Sequence, residues 1–244
     1  MEKLYLVIPA YNEQDNIARL VEDWYPVAEA HTDGATCEAR LLIVNDGSRD
    51  DTGRILDELA TTRPLLSVIH KKNGGHGPAI YHGYQMALES GADFIFQTDS
   101  DGQTLASEFD TFWQNRHDYD MLIGHRKGRK DGFSRKCVSK VLAAVLHYYF
   151  HVRLVDPNTP FRLMKREALA PCLGIISENE PLTNALVSAL MVKMGRRVKW
   201  LPITFRERQG GKNSINLKRI FRIGRRALHD FAETAKRAET ASKS

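Results

Sequence analysis

An alternation repeated along the first 125 residues limits this chain more than any other feature: a short apolar run rich in β-branched residues, a polar cluster, then apolar residues at helical spacing. Tyr5 to Pro9 is followed by Ile17, Leu20, Val21 and Trp24, and Leu41 to Asn45 by Ile55, Leu56 and Leu59. Leu65 to His70 leads to a helical pattern from Pro78 to Glu89, with Pro near the first turn, where a missing N–H does no harm. Phe94 to Thr98 and Met121 to Gly124 complete the series. Such a pattern predicts an α/β fold, a doubly wound and mostly parallel sheet. Sheets of this kind bind ligands beyond the carboxyl ends of their strands. The polar residues gather there: Tyr11-Asn12-Glu13, Asp46-Gly47-Ser48, Asn73 to Gly77, and Asp99-Ser100-Asp101.

Composition enters through charge. With 42% hydrophobic and 27% charged residues in 244, collagen-like and wholly disordered readings are excluded. The net charge of +5 hides a division. Residues 1–125 carry 9 basic and 21 acidic side chains, whereas residues 126–244 carry 26 and 9. The back half therefore favours an anionic partner: phosphate groups, a membrane surface or nucleic acid. Cys37, Cys137 and Cys172 lack metal-ligand spacing and read as reduced thiols, which with the absence of a secretory signal predicts a cytoplasmic protein. The longest apolar segment, Val138 to Val152, is interrupted by Ser139, Lys140, His147 and His151, so no transmembrane helix is expected.

After residue 125 the pattern changes. Arg126 to Lys140 holds seven basic residues and one acid. An apolar helix from Val138 to Phe150, a short segment from Asp156 to Leu163, a helix from Leu182 to Met194 and a strand from Val198 to Phe205 are expected next. The whole divides into one domain over 1–205, with halves 1–125 and 126–205, and a basic appendage over 206–244. In that appendage Leu217, Ile220, Phe221, Gly224, Leu228 and Phe231 share one helical face ringed by Lys and Arg, the pattern of an amphipathic helix lying on an anionic membrane surface. Packing on the domain is the alternative. Lys236 to Ser244 reads as a frayed tail.

The strand-end clusters carry the chemistry. Asp99 and Asp101 lie two residues apart, where one turn aims both at a hard divalent cation. Gln103 follows within reach. Asp46 is placed to accept hydrogen bonds from a base edge or ribose, while Asp50 or Asp51 suits a helix cap. Asn73 to Gly77 permits close backbone approach to a ligand.

Taken together, Pro9-Ala10-Tyr11-Asn12-Glu13, Asn45 to Thr52, Asn73 to Ala79 and Thr98 to Gln103 resemble the family 2 glycosyltransferases of GT-A fold, especially the dolichol- or polyprenol-phosphate sugar transferases. The likeness covers roughly residues 4 to 165. It implies that Pro9, Tyr11, Glu13 and Asp46 hold the nucleotide, that Asp99, Ser100 and Asp101 hold the nucleotide-sugar, and that Asp99, Asp101 and Gln103 hold Mg²⁺ or Mn²⁺ and the diphosphate. Asn45 stands where the family more often has a second Asp. Asp156 to Arg162 resembles the family's D-x-x-x-x-F-R segment, and Pro202 to Arg208 its P-I-x-F-x-x-R strand and loop. Asp101, Asp156, Arg162 and Arg208 are thereby candidate catalytic residues. Arg126, Arg129, Arg206, Arg208, Lys212 and Ser214 are candidates for the phosphates.

The resemblance implies an inverting, metal-dependent transfer of a hexose from a UDP- or GDP-sugar to polyprenol phosphate, by a peripheral enzyme at the inner membrane face. A lipid phosphate is already anionic and needs positioning more than deprotonation. A saccharide hydroxyl, the alternative acceptor, needs a general base, for which Asp156, Glu178 and Glu180 are candidates. A nucleic-acid-binding module would leave the four strand-end motifs unexplained, so no nucleic acid partner is expected.

Overall fold

A computed structural model describes residues 1–126, 133–206, 228 and 230–240. Seven strands form one sheet: β1 (Glu2–Ala10), β2 (Cys37–Asn45), β3 (Leu66–His70), β4 (Phe94–Thr98), β5 (Met121–Arg126), β6 (Phe161–Lys165) and β7 (Val198–Ile203). Their order is β3-β2-β1-β4-β6-β5-β7. β6 runs antiparallel to both β4 and β5, and every other pairing is parallel.

Successive residues of a strand face opposite sides of a sheet, and here both sides are covered. Leu6 and Ile8 of β1, Leu41 and Ile43 of β2 and Phe96 of β4 belong to one core. It includes Trp24 of α1 (Ile17–Ala30), Leu56 of α2 (Thr52–Ala60) and Phe109 and Phe112 of α4 (Phe109–Gln114). Val7, Leu42, Ile95, Met121 and Met164 enter the second core. There they join α3 (His76–Glu89), α5 (Phe133–Phe150), α6 (Arg166–Ile175) and α7 (Thr183–Lys193). Burial on both faces is why the front strands read as continuous apolar runs.

Several boundaries differ from the sequence reading. β6, which the sequence predicts only as part of a short connecting segment, lies between β4 and β5. Residues 230–240 are helical, so the tail expected from Lys236 continues as helix to residue 240. Phe231, expected on a bilayer-facing stripe, is 1% exposed and packs against Phe150, their ring centroids 6.4 Å apart. Ala235 and Ala238 are buried in the same core, which makes this part of the terminal helix a piece of the domain. The rest of that stripe except Leu228, which is exposed, lies outside the described residues. Among the described residues no helix is long and apolar enough to cross a membrane.

Candidate active site

The loops after β1 and β2 are clasped by reciprocal hydrogen bonds. Asn12 adopts a left-handed backbone (φ 53°), a conformation Asn tolerates better than most residues. Its N–H donates to Ser48 Oγ at 3.0 Å, and its side-chain oxygen accepts from the Arg49 N–H at 2.8 Å. Glu13 N–H donates to Thr52 Oγ1 at 2.8 Å, and Gln14 N–H to Asp50 at 3.2 Å. Asp50 also accepts from the N–H and hydroxyl of Thr52, the first residue of α2. Burial alone would raise the Asp50 pKa, but these hydrogen bonds from Thr52 and Gln14 outweigh it and hold the carboxyl below its ordinary range. The clasp buries Pro9 and Glu13 at the end of β1 and leaves the Tyr11 ring exposed.

Asp46, 3% exposed, sits at the end of β2. Its Oδ1 accepts from Lys71 Nζ at 2.6 Å and the Gly74 N–H at 2.9 Å, and its Oδ2 from the Gly75 N–H at 2.8 Å. Asn73 Nδ2 donates to the Asp46 carbonyl. The carboxylate therefore anchors the glycine-rich loop that leads into α3. Gly47, at φ 66°, makes this possible, since a Cβ there would lie 2.7 Å from the Asn73 nitrogen.

The end of β4 brings the remaining front-half carboxylates together. Asp99 Oδ1 accepts from Gln97 Nε2 at 3.0 Å, and His76 Nε2 at the start of α3 lies 3.5 Å from the same oxygen. Asp101 accepts the Gln103 N–H at 3.2 Å, closing a tight turn over Gly102, and Ser100 before it is buried. Gln103 is doubly paired with the chain leaving β7: its Nε2 donates to the Arg206 carbonyl and its carbonyl accepts the Arg206 N–H, both at 2.8 Å. The backbone of the exposed Arg206 is thus tied to the turn that follows the two strand-end acids.

Residues 5–170 match the sequence model of the family described as Glycosyl transferase family 2. The chain belongs to that family. It is 25% identical over 221 residues to undecaprenyl-phosphate mannosyltransferase of Micrococcus luteus, covering 88% of each chain. To polyprenol monophosphomannose synthase of Mycolicibacterium smegmatis it is 26% identical over 241 residues, covering 95% of this chain and 86% of the relative. Undecaprenyl-phosphate 4-deoxy-4-formamido-L-arabinose transferase of Klebsiella pneumoniae is 24% identical over 230 residues, 91% of this chain but 65% of that relative's length. The fold matches glucosyl-3-phosphoglycerate synthase from Mycobacterium tuberculosis, solved with Mn²⁺, UDP and glucosyl-3-phosphoglycerate. Its TM-score is 0.67 at 15% identity, covering 96% of this chain and 80% of that one. The architecture is that of the GT-A glycosyltransferases.

In this family 2 glycosyltransferase the acceptor-side candidates are distributed unevenly. Arg126, at the end of β5, donates from Nε and Nη2 to the two oxygens of Asp156 at 2.8 and 2.7 Å, with both side chains under 10% exposed. Its guanidinium lies 5.0 Å from the Phe205 ring centroid, a cation–π contact. Arg162, placed among the catalytic candidates, is 0% exposed and donates to the carbonyls of Pro157, Thr159 and Asn184 and to Ser188 Oγ. Desolvation lowers its pKa, with Tyr84, Asp99 and Asp156 opposing the shift. That geometry makes it a clamp between β6 and α7 rather than a group reaching a ligand. Glu180 is buried and accepts the Leu182 N–H, whereas Glu178 is exposed. Arg129, Arg208, Lys212 and Ser214 lie outside the described residues.

Lys71, Gln97 and Asn184 escaped the sequence reading. Lys71 had a signal, a basic pair directly after β3, but nothing in the linear order joins it to Asp46. Gln97 had a clearer one, a polar residue inside the apolar run from Phe94 to Thr98. Among the described residues no three His, Cys, Asp or Glu side chains form a metal cluster. The oxygen donors of Asp99 and Asp101 nevertheless suit a hard cation that takes most of its ligands from diphosphate and water, the usual arrangement for Mg²⁺.

Proposed function

We propose that the enzyme transfers a hexose from a UDP- or GDP-sugar to a polyprenol phosphate, aided by Mg²⁺ or Mn²⁺, at the inner face of a membrane. The observation that carries this reading is the juxtaposition at the end of β4. Asp99 and Asp101 stand together there, and Gln103 ties the Arg206 backbone beside them. A divalent cation bound to those acids would neutralise charge developing on the departing diphosphate. Arg206 would add positive charge next to it, and the clasped loops bearing Tyr11, Glu13 and Asp46 would receive the nucleotide.

The acceptor follows from Asp156. Both of its oxygens accept hydrogen bonds from Arg126, an engagement that leaves the carboxylate poorly placed to take a proton from an acceptor hydroxyl. A lipid phosphate requires no base. The names of the two relatives matched over more than 85% of their length, both polyprenyl-phosphate mannose transferases, support the same acceptor. For the membrane face, Val141, Tyr148, Val155 and Leu228 are large apolar side chains left exposed on the acceptor side.

The donor half is tested by melting-temperature shifts with UDP, GDP and their hexoses, with and without Mn²⁺. One nucleotide series should stabilise the enzyme in a Mn²⁺-dependent manner, and Asp101→Ala should remove that dependence. An absence of stabilisation by any nucleotide would overturn the reading.

A further inference from the structure

A line of buried polar side chains runs from α3 through α7 to the end of β4. Tyr84 Oη donates to Asn184 Oδ1 at 2.8 Å, Asn184 Nδ2 donates to Gln97 Oε1 at 2.8 Å, and Gln97 Nε2 donates to Asp99 Oδ1 at 3.0 Å. Tyr84 and Gln97 are 0% exposed and Asn184 is 3% exposed. Arg162 braces the middle of the line through its bond to the Asn184 carbonyl.

The direction of the line is fixed by its end. An ionised carboxylate only accepts, so Gln97 must present its NH₂ to Asp99 and its oxygen to Asn184. Asn184 must then present its NH₂ to Gln97 and its oxygen to Tyr84, which donates. Reversing Gln97 would set a carbonyl oxygen against the Asp99 carboxylate, and reversing Asn184 would set one against the Gln97 oxygen. Apolar side chains at these three positions would pack against the surrounding core without any such constraint. A fully satisfied polar line instead specifies one arrangement, and a partly satisfied one is costly.

We propose that Gln97, Asn184 and Tyr84 are positioning residues for Asp99. They hold Oδ1 and fix the carboxylate's rotation, leaving Oδ2, which accepts no hydrogen bond among the described residues, for the cation and diphosphate. His76, 3.5 Å from Oδ1 and half exposed, is too distant and too solvated to do this alone. The inference rests on the assignment of the cation to Asp99 and Asp101.

The test is direct Mn²⁺ binding, read by electron paramagnetic resonance in the presence of UDP and, separately, GDP. It compares the intact enzyme with Gln97→Glu, Asn184→Asp, Tyr84→Phe and Asp99→Asn, each first shown to be folded by its melting transition. Gln97→Glu sets a carboxylate against Asp99. Asn184→Asp, one hydrogen bond further away, draws the Gln97 NH₂ toward itself and turns the Gln97 oxygen onto Asp99. Both should weaken Mn²⁺ binding by about 10- to 100-fold, the range expected when a partner that orients a metal ligand is lost. Tyr84→Phe should have the smallest effect of the three. Wild-type Mn²⁺ affinity in folded Gln97→Glu and Asn184→Asp, with binding lost in Asp99→Asn, would overturn the positioning role and leave the cation assignment standing. Wild-type affinity in Asp99→Asn would overturn both. Should Gln97→Glu fail to fold, Asn184→Asp carries the same comparison.

Discussion

Arg126 grips Asp156 through two parallel hydrogen bonds of 2.8 and 2.7 Å, joining the end of β5 to the segment that enters β6. The pair is nearly buried, so each charge depends on the other. Removing one partner of such a pair typically costs about 3–5 kcal/mol, because the remaining charge stays desolvated. Asp156→Ala should therefore lower the urea midpoint by that equivalent. A variant equally stable but inactive would mark Asp156 as a base instead.

Arg162 leads to a second expectation. Its guanidinium is wholly buried and satisfies several carbonyl oxygens at once, a geometry one ammonium cannot reproduce. Arg162→Lys should destabilise the enzyme by about 2 kcal/mol or more, since each buried acceptor left unpaired costs about 1–3 kcal/mol. Denaturant unfolding measures this, and unchanged stability would refute the clamp.

The pH dependence of stability follows from depressed carboxyl groups. Asp50, held low by the Thr52 and Gln14 bonds against the effect of burial, has a lower pKa folded than unfolded. Asp120 is lowered in the same manner by the Arg197 backbone and side chain, again against burial. Below about pH 4 the unfolded chain takes up protons that the folded chain refuses, so stability falls as pH drops. Above that range their contribution is fully present. Asp50→Asn should flatten the decline between about pH 4 and pH 2 and lower stability at pH 7, as followed by urea midpoints.

Gly77 carries a steric prediction. A Cβ there would lie 2.1 Å from the Glu180 carbonyl oxygen and 2.6 Å from the Pro181 backbone. The first turn of α3 thus touches the segment entering α7 at backbone distance. Gly77→Ala should separate the two and lower the melting temperature by several degrees, as expected for about 1–3 kcal/mol of overpacking. A melting temperature equal to that of the intact enzyme would contradict this contact.

Much of the front half was legible because burial on both sheet faces writes itself into Leu4 to Pro9 and Leu41 to Val44 as unbroken apolar runs, and because the strand-end acids follow directly. β6 was hidden for the opposite reason. It has five residues, and its second, Arg162, places a charge where a central strand should be apolar. That charge is tolerated only through carbonyls supplied by residues 157, 159 and 184, which linear order does not connect to it. The terminal helix was misread in part because Phe231, Ala235 and Ala238 form an apolar stripe equally suited to a bilayer or to a core. Core packing, including Phe231 against Phe150, 81 positions away, decides between them. Asp46 was found as a strand-end acid, but its engagement by Lys71 and the glycine-rich loop depended on the register between β2 and β3.

The central claim is cation-assisted transfer onto a lipid phosphate at Asp99 and Asp101. It is tested most directly by following labelled hexose from a panel of UDP- and GDP-sugars into a short polyprenol phosphate and, in parallel, into soluble saccharides. Each reaction is run with Mn²⁺ or with a chelator, for the intact enzyme and for Asp101→Ala. The account predicts a lipid-linked sugar from one donor, lost on chelation and reduced at least about 100-fold in the variant, as when a principal electrostatic contribution is removed. Transfer to the saccharides alone, or undiminished lipid product in Asp101→Ala, would contradict it.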